Sequence, residues 1–233
     1  VHQRARSAED KARRADDLLK AAEALASELG GVRYITLAAV TERAGLHRTG
    51  VRRYYASKEE LLLELAERGW GQWRDAIKDA VKDAIKSGAA DRAGPAHRPA
   101  PSRSRLGPAQ TAAVVSQTLV ALPVFCDLLT HATLYLEGDV DIERARRYKT
   151  NSFAAHDEIA ATLDHASTMT VEQITSLLAA AIMLAAGLWQ VSHPTPTLAA
   201  LYEQEPRWGH VALDFSPRLT GLLEACAVGL GGT

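Results

Sequence analysis

Cysteine is nearly absent: Cys126 and Cys226 are the only two in 233 residues, and they form no C-x-x-C pair. That excludes a disulfide framework and a cysteine-built zinc site, and it suits a reducing cytosol. The eight histidines are scattered without ligand-like spacing, so no metal and no cofactor are expected. No phosphate-binding glycine loop, H-E-x-x-H, G-x-S-x-G or nucleophile–base pattern occurs, which argues against an enzyme. No alternating run of β-branched residues and no internal repeat is visible, which leaves no strands to build a sheet. The opening "VHQRARSAEDKARRADD" is densely charged and has no apolar signal-peptide core.

One uncharged segment needs a membrane check. "ITSLLAAAIMLAAGLWQVS", residues 174–192, carries no formal charge, but its strongly apolar part is only Leu177–Trp189 and is rich in alanine. A membrane span needs about 20 predominantly apolar residues. A helix buried on all sides within protein, and no membrane partner, is the expectation.

Net charge is close to zero, yet it is unevenly spread. Residues 1–58 hold 12 Lys+Arg against 7 Asp+Glu, and the remainder holds 15 against 21. A basic head on an acidic body fits a nucleic-acid-binding segment attached to a segment with another task.

Hydrophobic spacing gives an all-α chain. A first helix is predicted over 7–29, with Leu18, Ala22, Leu25, Ala26 and Leu29 on one face and Gly30-Gly31 ending it. A second follows Thr36 as N-cap and runs to Ala44, and a third spans 47–54. Ser57-Lys58-Glu59-Glu60 reads as a capping box that opens a long helix to about Lys86. Residues 88–108 hold four of the nine prolines, four arginines and one acid, so they read as a flexible loop. Further helices are expected at 109–121, 124–136, 141–165, 170–192 and 196–204, with a last one opening at Ser216-Pro217. The domain reading is a helix-turn-helix head over 1–56, a connecting helix over 57–87, the loop over 88–108, and a regulatory and dimerisation body over 109–233.

The head carries the most specific pattern. Val40, Leu46 and Val51 can share a small core, and Gly45 supplies the left-handed residue of a sharp turn. Val51 and Tyr55, four apart, face inward. His47, Arg48, Thr49, Gly50, Arg52, Arg53 and Tyr54 are left largely outward. That is helix-turn-helix architecture, whose second helix enters the major groove. Arginine forks read guanine edges, histidine can bond bases, and Gly50 lets the backbone approach the duplex. Arg52, Tyr54 and Lys58 suit phosphate oxygens. The competing reading is a solvated basic helix, and a helical adaptor that does not read DNA is a further alternative.

Residues 36–61, "TLAAVTERAGLHRTGVRRYYASKEEL", resemble the DNA-binding segment of the tetracycline-repressor (TetR) family. Thr36, Val40, Ala44, Gly45, Tyr54, Ser57, Lys58, Glu59 and Leu61 match that pattern, and Leu46, Val51 and Tyr55 are close substitutes. Three positions depart from it. Thr41 replaces a small alanine and fits if its hydroxyl bonds back to the preceding turn. His47 replaces the serine that opens the recognition helix, and Arg52 replaces a tyrosine. The stretches over residues 122–137, 146–163 and 177–196 also resemble a TetR-type C-terminal domain. The resemblance implies a homodimer on a palindromic operator in double-stranded DNA, a small-molecule effector bound by the body, and dimerisation through helices near 170–192 and 217–229. Repression is favoured over activation, because blocking an operator needs no contact with polymerase.

The effector site is sought among aromatic or polar residues inside apolar stripes. Tyr148, Asn151 and Ser152 lie at core-facing spacing on one helix. Phe125, Leu129, His131 and Tyr135 lie on another, and Trp70, Trp73, Met183 and Trp189 are candidate walls. Each residue taken alone is more often ordinary core packing than a ligand contact.

Overall fold

The computed structural model describes residues 2–47, 50–90, 105–211 and 214–231. Among them every element is helical and no strand occurs, so the all-α expectation holds. The chain divides into two compact units, Val1–Gly69 with Pro123–Asn151, and Trp70–Leu122 with Ser152–Thr233.

The first unit opens with α1 (His2–Leu29), which begins earlier than the spacing of its apolar face predicts. Gly30 at φ 74° ends it, and Gly31 N–H returns to the Ala26 carbonyl at 2.9 Å, closing the helix as a glycine stop should. A 3-10 turn over Val32–Tyr34 leads to α2 (Leu37–Arg43), capped by the Thr36 hydroxyl. The Thr41 hydroxyl donates to the Leu37 carbonyl, which is how a polar residue sits fully buried where the family pattern has alanine. Leu18, Ala22, Val32, Ile35, Val40, Val51, Tyr55, Leu61 and Leu62 form the buried core of this unit, each fully buried aliphatic side chain contributing about 1.5–3 kcal/mol.

Helix α3 (Lys58–Ala90) is opened by the predicted capping pair. Ser57 Oγ accepts from Glu60 N–H at 3.1 Å, while the Glu60 carboxylate reaches back to Ala56 N–H at 2.6 Å, one residue earlier than the standard box. The first unit also contains α5 (Pro123–His131) with its π-helical extension Ala132–Leu136, and the start of α6 (Ile142–Ala166). These segments lie beyond the 1–56 head that sequence patterning marks out, because the first unit gathers them by packing and not by chain order.

The second unit contains the rest of α3 and α6 together with α4 (Pro108–Val120), α7 (Val171–Ser192), α8 (Pro196–Gln204) and α9 (Phe215–Gly231). Helices α4 and α7 pack on α9. Trp73 Nε1–H donates to Thr118 Oγ1 at 3.1 Å, and Gln173 Nε2 holds the Leu230 carbonyl at 2.6 Å. Helix α9 starts at Phe215 and not at Ser216-Pro217; Pro217 still falls in the first turn, where no intrahelical N–H is needed.

The expectation that the apolar helix is buried on all sides is corrected for the single chain. Helix α7 is long and apolar enough to cross a membrane by length and composition, but only 28% of that apolar window is buried. Ile174, Leu177, Leu178, Ala181 and Ala185 form its inner stripe, while Val171, Met183 and Val191 face out. A single neighbouring layer can cover only one face of a helix.

Candidate nucleic-acid interface and effector site

The recognition segment begins at a glycine hinge. Ala44 N–H closes α2 on the Val40 carbonyl at 3.0 Å, and Gly45, at φ 65°, turns the chain out. Leu46 N–H then bonds the Thr41 carbonyl at 3.0 Å. His47 is exposed, and Arg48 and Thr49 lie outside the described residues. Gly50 N–H donates to the His47 carbonyl at 2.7 Å, and a 3-10 turn follows over Val51–Arg53. The predicted helix over 47–54 lies partly outside the described residues, at Arg48 and Thr49, and its described part contains this 3-10 turn. Gly50 and Tyr54, which flank the 3-10 turn, have right-handed helical backbone angles, and Tyr55 N–H reaches the Val51 carbonyl at 3.0 Å.

Within that turn the predicted division of faces is present. Val51 and Tyr55 are buried, Arg52 and Arg53 are exposed, and Tyr54 is half-buried. Gly50 has a structural reason that sequence reading missed: an added Cβ would lie 3.0 Å from the His47 carbonyl oxygen. Tyr55 donates its hydroxyl to Glu64 at 3.2 Å, and its pKa is pushed well up, by burial first and by the Glu64 charge second. Lys58 is half-buried and its ammonium donates to the Arg33 carbonyl at 2.9 Å, with burial lowering its pKa. Thr36 serves as the α2 cap, its Oγ1 accepting from Ala39 N–H at 3.2 Å.

Ion pairs fix the head's helices to one another. Arg43 grips Glu28 with both terminal nitrogens, joining α2 to α1. Arg68 of α3 reaches Asp16 of α1 at 2.8 Å. The Asp16 carboxyl is held below its usual range, chiefly by its hydrogen bond from Lys20 and further by Arg68.

The effector candidates divide between the units. In the first, Phe125, Leu129, His131 and Tyr148 are buried and Tyr135 half-buried. His131 and Tyr135 are neighbours, with ring centroids 5.5 Å apart. Asn151 is exposed instead of core-facing, and its Nδ2 donates to Glu67 at 3.3 Å. In the second, Trp70 and Trp73 meet at 5.6 Å, with His156 6.4 Å from Trp70. The Ser152 hydroxyl is buried without a hydrogen-bond partner. Trp189 lies elsewhere, stacked on His193 at 3.8 Å and edge-on to Phe215 at 5.0 Å. Met183 does not line an interior, being 70% exposed, because it falls on the outward stripe of α7.

Two buried charges escaped the sequence reading. Asp127 of α5 accepts the Val32 N–H at 2.7 Å, and its other oxygen lies 3.3 Å from His131 Nε2. Arg144 of α6 donates from Nη1 to Glu67 of α3. Asp127 was legible as a lone acid in the apolar run "PVFCDLL"; Arg144 was hidden among Arg146 and Arg147, which are exposed. Among the described residues no group of three or more His, Cys, Asp or Glu is placed to hold a metal ion.

Residues 67–232 match the family described as tetracyclin repressor-like, C-terminal domain. No curated protein matches the chain.

Proposed function

This chain belongs to the tetracycline-repressor (TetR) family of transcriptional regulators, and we propose that it is a homodimeric repressor released from a palindromic operator by a small, largely apolar effector. The observation that carries this reading is the glycine-hinged recognition turn, with Arg52 and Arg53 exposed over buried Val51 and Tyr55. A head of this kind presents donors to phosphates and base edges from a rigid support. The proposed DNA-contacting set is Thr36, His47, Arg48, Thr49, Gly50, Arg52, Arg53, Tyr54 and Lys58.

Dimerisation would run through α7 and α9. Their exposed apolar side chains, Met183 and Val191 on one and Leu222 and Val228 on the other, favour a second copy as cover over a lipid bilayer, and a cytoplasmic protein follows from that reading. The effector site would be drawn from the body's aromatic and polar residues, with the head over 1–56 as the responding domain. Because α3 runs from the capping box at Ser57 through Trp70 and Trp73, it is the natural lever. An effector that favours a body conformation with wrongly spaced heads lowers operator affinity by its differential binding, typically about 1–3 kcal/mol.

Selection of bound duplexes from a random pool, followed by anisotropy at several salt concentrations, tests the reading. A palindrome bound by a dimer with steep salt dependence is expected. Weak binding indifferent to sequence would remove the regulator assignment. Alanine at Trp70 or Tyr148 should change the effector response more than operator affinity without effector.

A further inference from the structure

Arg144 is the one lysine or arginine buried among the described residues, with 3% of its surface exposed. Its Nη1 is bonded to Glu67, but Nε and Nη2 are buried with no hydrogen-bond partner. Buried polar groups are nearly always paired, so an unpaired charged donor set demands an explanation. The two vacant nitrogens are not scattered. They form one edge of the guanidinium, where two parallel N–H groups match the two oxygens of a carboxylate.

Nearby acids of the chain already have partners: Asp141 accepts the backbone N–H groups of Glu143 and Arg144. Glu67 takes Nη1 with one oxygen and the Asn151 amide with the other. Glu64 accepts the Tyr55 hydroxyl and lies 3.6 Å from Arg147. All of these residues belong to the first unit. The same stretch of α3 carries the buried Leu61, Leu62, Leu63, Leu65 and Ala66, and Tyr148 is buried one turn beyond Arg144 on α6, whose Glu143, Arg146, Arg147 and Lys149 are exposed.

We propose that the vacant edge of Arg144 is the anchor for an effector that carries a carboxylate on an apolar body. The inference rests on the regulator reading and gives its effector a chemical class. Both nitrogens are closed to solvent, so the acid enters when the surrounding side chains part, and the pairing then forms away from competing water. A second carboxylate on Arg144 competes with Glu67 for the same positive charge. That loosens the hold of α6 on α3, the helix whose Glu64 supports Tyr55 at the end of the recognition turn.

The test uses the full chain without DNA. Thermal melts are recorded at constant ionic strength with octanoate and benzoate, with the neutral octanamide and benzamide, and with octyl phosphate as the other oxyanion source. At least one carboxylate is expected to raise the melting temperature while its amide and octyl phosphate do not, since only a ligand of the folded state stabilises it. Arg144→Met should abolish the shift. Arg144→Lys keeps the charge but not the parallel donors, and should weaken binding by about tenfold or more. Amides as effective as acids, an inert carboxylate set, a response confined to octyl phosphate, or an unchanged response in Arg144→Met would each overturn the proposal. If Arg144→Met does not fold, the acid–amide comparison on the unaltered chain still decides. Operator selection is scored separately, so loss of sequence-specific DNA binding would sink the regulator reading without touching this result.

Discussion

The Val32 backbone N–H donates to the Asp127 carboxylate across 2.7 Å, so a residue of α5 fixes the turn that follows α1. Both groups are buried, and the accepting oxygen, Asp127 Oδ2, also faces Gly31, where an added Cβ would lie 3.3 Å from it. Sequence separation of 95 residues makes this a tertiary anchor for the head, independent of local helix propensity.

Asp127→Ala removes the acceptor and strands a buried N–H. The expected loss is about 1–3 kcal/mol of stability, the usual cost of an unsatisfied buried donor. Asp127→Asn keeps an acceptor oxygen and should lose less. Urea unfolding followed by far-UV circular dichroism measures both. Equal losses would mean that the charge, and not the bond to Val32, is what matters.

Gly69 is a close-approach glycine. A Cβ there would lie 2.3 Å from Phe125 Cδ2 and 2.8 Å from its Cγ, and Phe125 is buried. Gly69→Ala should destabilise by about 1–3 kcal/mol through overpacking. Adding Phe125→Leu should recover part of that loss, so the double variant is more stable than the sum of the two singles predicts. Strict additivity in thermal melts would show that the ring is not what Gly69 accommodates.

The helices and the hinge were legible because they rest on local rules. The Gly30-Gly31 stop, the Thr36 cap, the Gly45 turn and the Ser57–Glu60 pair each need only their neighbours in sequence. In the recognition segment the four-residue spacing of Val51 and Tyr55 is matched by an i→i+4 bond from Tyr55 N–H to the Val51 carbonyl at 3.0 Å, while the 3-10 turn over Val51–Arg53 is a local tightening that periodicity does not show. What periodicity could not show is which side of an apolar helix the chain itself covers: Met183 and Leu178 look alike in sequence, yet one is 70% exposed and the other fully buried. Asn151 was misplaced for the same reason. Arg144 was missed because a charge run reads as solvent-facing until a tertiary partner such as Glu67 is known.

Arg48 and Arg52 should fail differently. Arg48→Ala is expected to cost about 1–3 kcal/mol on the selected operator and to relax preference at one base position, as for a bidentate base contact. Arg52→Ala should weaken every sequence alike and lower the salt slope by about one unit, as for a phosphate contact. Anisotropy titrations on the operator and its single-base variants separate the two. A reversed pattern would exchange the roles.

Lys58 should link head stability to alkaline pH. Burial lowers its pKa in the folded chain, so the unfolded chain holds that proton more tightly. The charged amine therefore works against folding at neutral pH, and stability contributed by this group rises as pH climbs from the lowered value towards the unfolded value of about 10.4. Lys58→Met should flatten that rise in melts between neutral and alkaline pH, although it also removes the bond to the Arg33 carbonyl. The same variant should lower the operator salt slope by about one unit if the remaining ammonium donors meet a phosphate.

The outward stripes of α7 and α9 yield the sharpest test of assembly. Met183 is 70% exposed and Val228 59% exposed, so neither contributes much to the stability of the isolated chain. If a second copy covers both stripes, each side chain enters a desolvated interface where a charge has no partner. Met183→Glu combined with Val228→Glu should then give monomers in sedimentation velocity while leaving circular dichroism and single-chain packing intact. Affinity for the palindrome should fall towards that for a lone half-site, because the second recognition segment no longer arrives with the first. A dimer that survives both substitutions would place its interface on another surface. Monomers that still bind the full palindrome with undiminished affinity would show that the two half-sites are read without α7 and α9 being joined.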